Sequence, residues 1–108
     1  MNIGFIMYSW NEVVPELDST LRIIHEAVIR GHKVSVIYPN EMAIRRTIVY
    51  ANCHVIIPNK IISENLSDFY NEVTLIEEFN PLKQQNIIFL RDNPPLDNHL
   101  LNFLHKIL

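Results

Sequence analysis

The chain begins with Ile3-Gly4-Phe5-Ile6-Met7-Tyr8, an almost unbroken apolar run that leaves no polar face for solvent. A strand of that composition must be covered on both sides, and strands covered on both sides are the interior strands of parallel sheets. A helix follows at the right distance. Leu17, Leu21, Ile24 and Val28 recur at helical spacing, Ile23 and Ala27 widen the stripe, and Arg22, Glu26 and Arg30 fall on the opposite side. Asp18 or Ser19 can cap its start, and Gly31 stands just past its last periodic residue. Lys33-Val34-Ser35-Val36-Ile37-Tyr38 then reads as a β-branched strand ending at Pro39-Asn40. Strand, helix and strand within this distance predict a right-handed βαβ unit.

Further along, the pattern weakens. Thr47-Ile48-Val49-Tyr50 and Val55-Ile56-Ile57 are strand-like, one or two strands, without the Asn-Gly or Gly-Gly that marks a tight hairpin. Leu66, Phe69, Tyr70 and Val73 predict a short surface helix from Ser63 to Val73, with irregular chain through Pro81. Ile87-Ile88-Phe89-Leu90 is a second buried-strand run. After Asn93-Pro94-Pro95, Leu96, Leu100, Phe103, Leu104 and Ile107 predict a closing helix. The expected fold is α/β: a three-layer, Rossmann-like open sheet, mostly parallel. All 108 residues form one domain, and 48 % apolar content is enough for a core without metal or disulfide.

Several functions are unsupported by these residues. Nine basic against twelve acidic residues, net -3, leave no nucleic-acid footprint. No apolar run is long enough to span a membrane, and the N-terminus lacks a signal-peptide pattern, so a cytoplasmic location is expected. The lone Cys53 amid Val55-Ile56-Ile57 reads as a buried thiol, and the five histidines form no ligand set. The two glycines, Gly4 and Gly31, cannot make a phosphate-cradling loop after the first strand, so a P-loop or dinucleotide fingerprint is excluded.

If the clear strands are parallel, their C-terminal ends share one edge, where open α/β sheets bind ligands. That edge collects Tyr8-Ser9-Trp10-Asn11, Tyr38-Pro39-Asn40 and Arg91-Asp92-Asn93-Pro94-Pro95. Arg91 directly follows a strand, and its guanidinium can meet a carboxylate or phosphate with two parallel hydrogen bonds. A structural ion pair with Asp92, Asp97 or a loop carboxylate is the other use of such an arginine. The helix start at Asp18-Ser19-Thr20 offers free N–H groups to an anion, or is simply a cap. Tyr8 and Trp10 either line a pocket or cover the rim of the core. Arg91, Ser19, Tyr8 and Asn93 are the candidate substrate contacts, with no catalytic or metal-binding residue assigned.

Three segments together resemble the N-terminal domain of prokaryotic glutathione synthetase, an ATP-grasp ligase. They are Met1-Asn2-Ile3-Gly4-Phe5-Ile6-Met7, the stretch from Asp18-Ser19-Thr20 through Glu26-Ala27 to Arg30-Gly31-His32, and Ile87-Ile88-Phe89-Leu90-Arg91-Asp92-Asn93-Pro94-Pro95-Leu96-Asp97. The last is the most specific: strand, arginine, two short polar residues, two prolines, an apolar residue and aspartate. The chain departs from that family's pattern at Tyr8-Ser9, where Asp-Pro is usual, and at Asp92-Asn93, where Lys-Asp is favoured. The resemblance implies a pre-ATP-grasp domain that forms one wall of the cleft in an enzyme joining γ-glutamylcysteine to glycine. It places ATP and Mg²⁺ on downstream ATP-grasp domains, with no cofactor in this chain. It further implies a small peptide substrate, homo-oligomeric assembly, and no activity for this domain alone. The competing readings are the N-terminal half of a GT-B-type glycosyltransferase and a stand-alone binding or assembly module.

Overall fold

The apolar run at the N-terminus becomes β1 (Asn2–Ile6), and everything else is arranged around it in a computed structural model that describes residues Met1 to Arg91. The helix α1 (Ser19–Ile29) leads to the long strand β2 (Lys33–Arg45), which turns directly into β3 (Ile48–Ile57). A shorter helix α2 (Leu66–Glu72), strand β4 (Thr74–Pro81) and strand β5 (Ile87–Leu90) follow. The five strands form one sheet in the order β4-β3-β2-β1-β5.

β1 lies between β2 and β5 and is parallel to both, so the three strands expected to share a ligand edge do share one. The sheet as a whole is not mostly parallel. The longer ladders, β2 with β3 and β3 with β4, are antiparallel, and most of the paired residues belong to them. The reason is the connection: β2 and β3 are joined by the two residues Arg46 and Thr47, a span that only antiparallel neighbours can use. The fold is a mixed α/β sheet in which a parallel trio carries an antiparallel extension.

The two helices share one face of the sheet. Leu21, Ile24 and Val28 of α1 and Phe69 of α2 pack with Ile3, Phe5, Val34 and Val36 into one buried cluster. Phe5 is completely buried and stacks flat on Phe89, with ring centroids 4.9 Å apart, which ties β1 to β5 on this face. On the opposite face Ile6, Ile37, Val49, Ala51, Cys53 and Leu82 form a second cluster. Gly4 belongs to that side, where a Cβ would come within 3.0 Å of Ile37 Cδ1 and 3.2 Å of Gln85 Cγ. The described residues therefore make two layers. The helix expected from Leu96 to Ile107, on which a third layer depends, lies outside them.

Helix ends follow the local chemistry. The Asp18 carboxylate accepts the Leu21 N–H at 3.0 Å, and the Asn65 side-chain oxygen does the same for Asp68 in α2, two positions after the Ser63 expected there. At the end of α1, Gly31 adopts φ 84°, with its N–H bonded to the Val28 carbonyl and the His32 N–H to the Ala27 carbonyl. That is the pairing in which glycine closes a helix at no steric cost. Leu17 is 84 % exposed and precedes the helix rather than belonging to its buried stripe.

Two further expectations give way, and one turn carries no sequence signal. β2 continues past Pro39 to Arg45, because the proline falls at a register irregularity between Ile37 and Met42, where no ladder hydrogen bond is needed from it. The chain from Thr74 to Pro81 is an edge strand rather than irregular. The hairpin turn is built without glycine or asparagine: Arg46 and Thr47 both take positive φ, 51° and 69°. A turn with two left-handed residues matches strand twist, but a β-branched residue fits it poorly. Replacing Thr47 with Gly should therefore stabilise the domain by about 0.5–1 kcal/mol. Thermal unfolding should shift upward by about 2–8 °C; an unchanged or lowered midpoint would show that the turn is not strained.

Candidate functional site

At the C-terminal edge of the parallel trio, β1 and β5 end side by side, and the Arg91 N–H reaches back to the Ile6 carbonyl at 2.8 Å. That bond fixes where the Arg91 side chain leaves the sheet. Its Nε donates to Thr20 Oγ1 and its Nη2 to Ser19 Oγ, each at 3.1 Å, so the guanidinium is braced against the first turn of α1. A guanidinium has five N–H groups, and two hydroxyls satisfy two of them. Among the described residues no carboxylate pairs with Arg91. Asp92 and Asp97, the ion-pair partners considered from sequence, lie outside the described residues, as does Asn93.

Tyr8 completes the arrangement. Its hydroxyl donates to the Asp18 carboxylate, whose other oxygen caps α1. Tyr8, Asp18, Ser19, Thr20, Leu90 and Arg91 line a cleft of about 320 Å³ together with the exposed Leu17. Of the four residues singled out from sequence, Arg91, Ser19 and Tyr8 are brought to one place. Two were missed as contributors. Thr20 is buried and holds Arg91, and Asp18 orients Tyr8 as well as capping. Asp-Ser-Thr was legible as a helix start; what it faced was not.

Trp10 takes the other role considered for it. It is buried at the rim of the core, its ring 5.0 Å from that of Tyr70. Its N–H donates to the Tyr38 hydroxyl at 3.1 Å and its carbonyl accepts from the Tyr70 hydroxyl. The loop after β1 is thereby pinned to β2 and α2, which holds Tyr8 in position. His25 is likewise structural: buried in α1, it bonds the Ser63 carbonyl at 2.8 Å and meets the Phe69 ring edge-on. Cys53 is buried, and loss of hydration in the core, with the Glu78 charge adding, pushes its thiol up to about 11, far from nucleophilic.

Compared with protein-family models, residues 1–107 match the prokaryotic glutathione synthetase N-terminal domain. The chain belongs to that family. The match runs through the whole described fold, including the parallel trio and the Arg91 edge, and the glycosyltransferase reading falls with it. No curated protein matches the chain. In this glutathione synthetase N-terminal domain no described helix is long and apolar enough to cross a membrane.

The cleft has a distinctive electrostatic signature. Tyr8 is pushed up to about 12, first by loss of hydration, then by the hydrogen bond to Asp18 and its charge; Arg91 opposes the shift. The folded domain holds the Tyr8 proton more tightly than the unfolded chain, so the stabilisation is fully present below pH 10 and is lost as pH rises through about 12. Burial also raises Tyr38 and Tyr70, so an ultraviolet phenolate titration should show Tyr8 as the latest of several delayed steps, a step that disappears in Tyr8→Phe. Asp18→Asn, which keeps a capping side chain, should bring that step to lower pH. A Tyr8 that titrates with exposed tyrosines would contradict the contact.

Proposed function

We propose that this domain is the substrate-side wall of a glutathione-synthetase-like carboxylate–amine ligase, and that Arg91 meets a carboxylate or phosphoryl group of its peptide substrate. The carrying observation is the convergence of Arg91, Ser19, Thr20, Tyr8 and Asp18 on one cleft at the sheet edge. The reaction this reading assigns to the whole enzyme is the ATP-dependent joining of γ-glutamylcysteine to glycine. ATP and Mg²⁺ belong on the downstream ATP-grasp domains.

The domain's own contribution is binding and orientation. Among the described residues Arg91 is held by two neutral hydroxyls and by no carboxylate, which leaves its positive charge available to an incoming anion. Those hydroxyls fix the fork before ligand arrives, which lowers the ordering cost of binding. Tyr8, kept protonated by its surroundings, forms the wall opposite. Assembly into a homo-oligomer and a cytoplasmic setting complete the reading.

Joined to the downstream domains, Arg91→Ala should lower kcat/KM by about 10- to 200-fold, the equivalent of one lost charge-assisted hydrogen bond of ~1.5–3 kcal/mol. Arg91→Lys should restore part of it, since charge survives but the fork does not. Normal kinetics beside a lowered unfolding midpoint would make Arg91 a structural brace for α1 and remove it from the site.

A further inference from the structure

A second cleft, of about 360 Å³, opens on the other side of Tyr8 at the same edge of the sheet. It is lined by Tyr8, Tyr38, Pro39, Asn40, Glu41 and His54, with Met7 and Ser9 at its margin. Its residues come from the loop just after β1, the irregular stretch of β2 and His54 of β3.

Its chemistry is opposite to that of the Arg91 cleft. Glu41 Oε1 meets His54 Nε2 at 2.6 Å, and among the described residues Glu41 Oε2 has only the long 3.4 Å contact from Asn52 Nδ2. A carboxylate offers about four acceptor positions, so Glu41 retains capacity. On the far side of the imidazole, Glu77 Oε1 stands 4.0 Å from His54 Nδ1. With two carboxylates around one imidazole, the group carries net negative charge whether His54 is neutral or protonated. Among the described residues no lysine or arginine lines the cleft. The Tyr38 ring lies 4.7 Å from that of His54, and its phenol is pushed up, first by burial, with the Glu41 charge contributing. Tyr38 and Tyr8 therefore present uncharged aromatic surface beside a carboxylate, the combination that favours a cation.

We propose that this cleft holds the ammonium group of the ligand, with Glu41 as counter-ion and Tyr8 and Tyr38 as aromatic walls. Because Tyr8 lines both clefts, the ligand is a dipolar amino acid or peptide whose anionic end lies at Arg91 and whose ammonium lies at Glu41. This rests on the reading of Arg91 as an anion contact. The two tyrosine-lined halves then select against molecules lacking either charge.

Three probes separate the possibilities by side-chain nuclear magnetic resonance on this chain. Propylammonium carries the cation alone, glutarate the anions alone, and L-glutamate both. Propylammonium should move the Tyr38 and His54 ring signals and leave the Arg91 Nε–H in place, and glutarate should do the reverse. L-Glutamate should move both sets and bind more tightly than either. Glu41→Gln, whose unchanged backbone spectrum checks its fold, should weaken propylammonium about tenfold or more and reduce L-glutamate to the affinity of glutarate. Propylammonium that leaves Tyr38 and His54 unmoved, or moves them equally in Glu41→Gln, overturns the ammonium site. Glutarate that leaves Arg91 unmoved overturns the Arg91 reading, and with it the shared ligand.

Discussion

The pairing of β1 with β5 is the constraint on which the rest depends. These strands are distant in sequence, and their parallel register places Ile6 opposite Leu90 so that the chain leaves the sheet at Arg91 beside the start of α1. The Phe5–Phe89 stack makes that register costly to change, since sliding by one residue would send every β5 side chain to the other face. The Arg91 N–H to Ile6 carbonyl bond extends the pairing one residue past β5. A guanidinium that follows this strand has one place to go, and two α1 hydroxyls receive it there.

The antiparallel half of the sheet does different work. By running past Pro39, β2 carries Glu41 alongside His54 of β3 and so builds the second cleft next to the first. β4, at the edge of the sheet, shows solvent Ile76 and Phe79, each about half exposed, but places Glu77 and Glu78 at its centre. Two copies pairing antiparallel along β4 would bring those carboxylates together, which guards this edge against sheet extension.

What could be read from sequence follows from where burial is two-sided or periodic. β1 was legible because an interior parallel strand is apolar throughout, and α1 because its stripe, Asp18 cap and Gly31 close all agree; β5 was legible from its apolar run, although among the described residues it is an edge strand with no fully buried residue and not the buried strand expected. The strand edge then pointed to Tyr8, Ser19 and Arg91 together. β4 was not legible, because an edge strand half open to water mixes Ile76 with Glu78 on one face and Leu75 with Glu77 on the other. The Arg46-Thr47 turn was invisible for another reason: long β2–β3 pairing imposes left-handed backbone on residues that would not choose it. Asp18 and Thr20 looked complete as helix-start residues, so nothing local disclosed that they face Tyr8 and Arg91.

The central claim is that Arg91 is pre-positioned for a ligand anion and not spent on the fold. Its most direct test is the ¹⁵N resonance of the Arg91 Nε–H during titration with γ-glutamylcysteine. The account expects that signal to be sharp and protected before ligand is added, from its bond to Thr20, and to move progressively to saturation together with the Ser19 and Thr20 amides. An Arg91 signal that stays fixed while ligand binds elsewhere would contradict it.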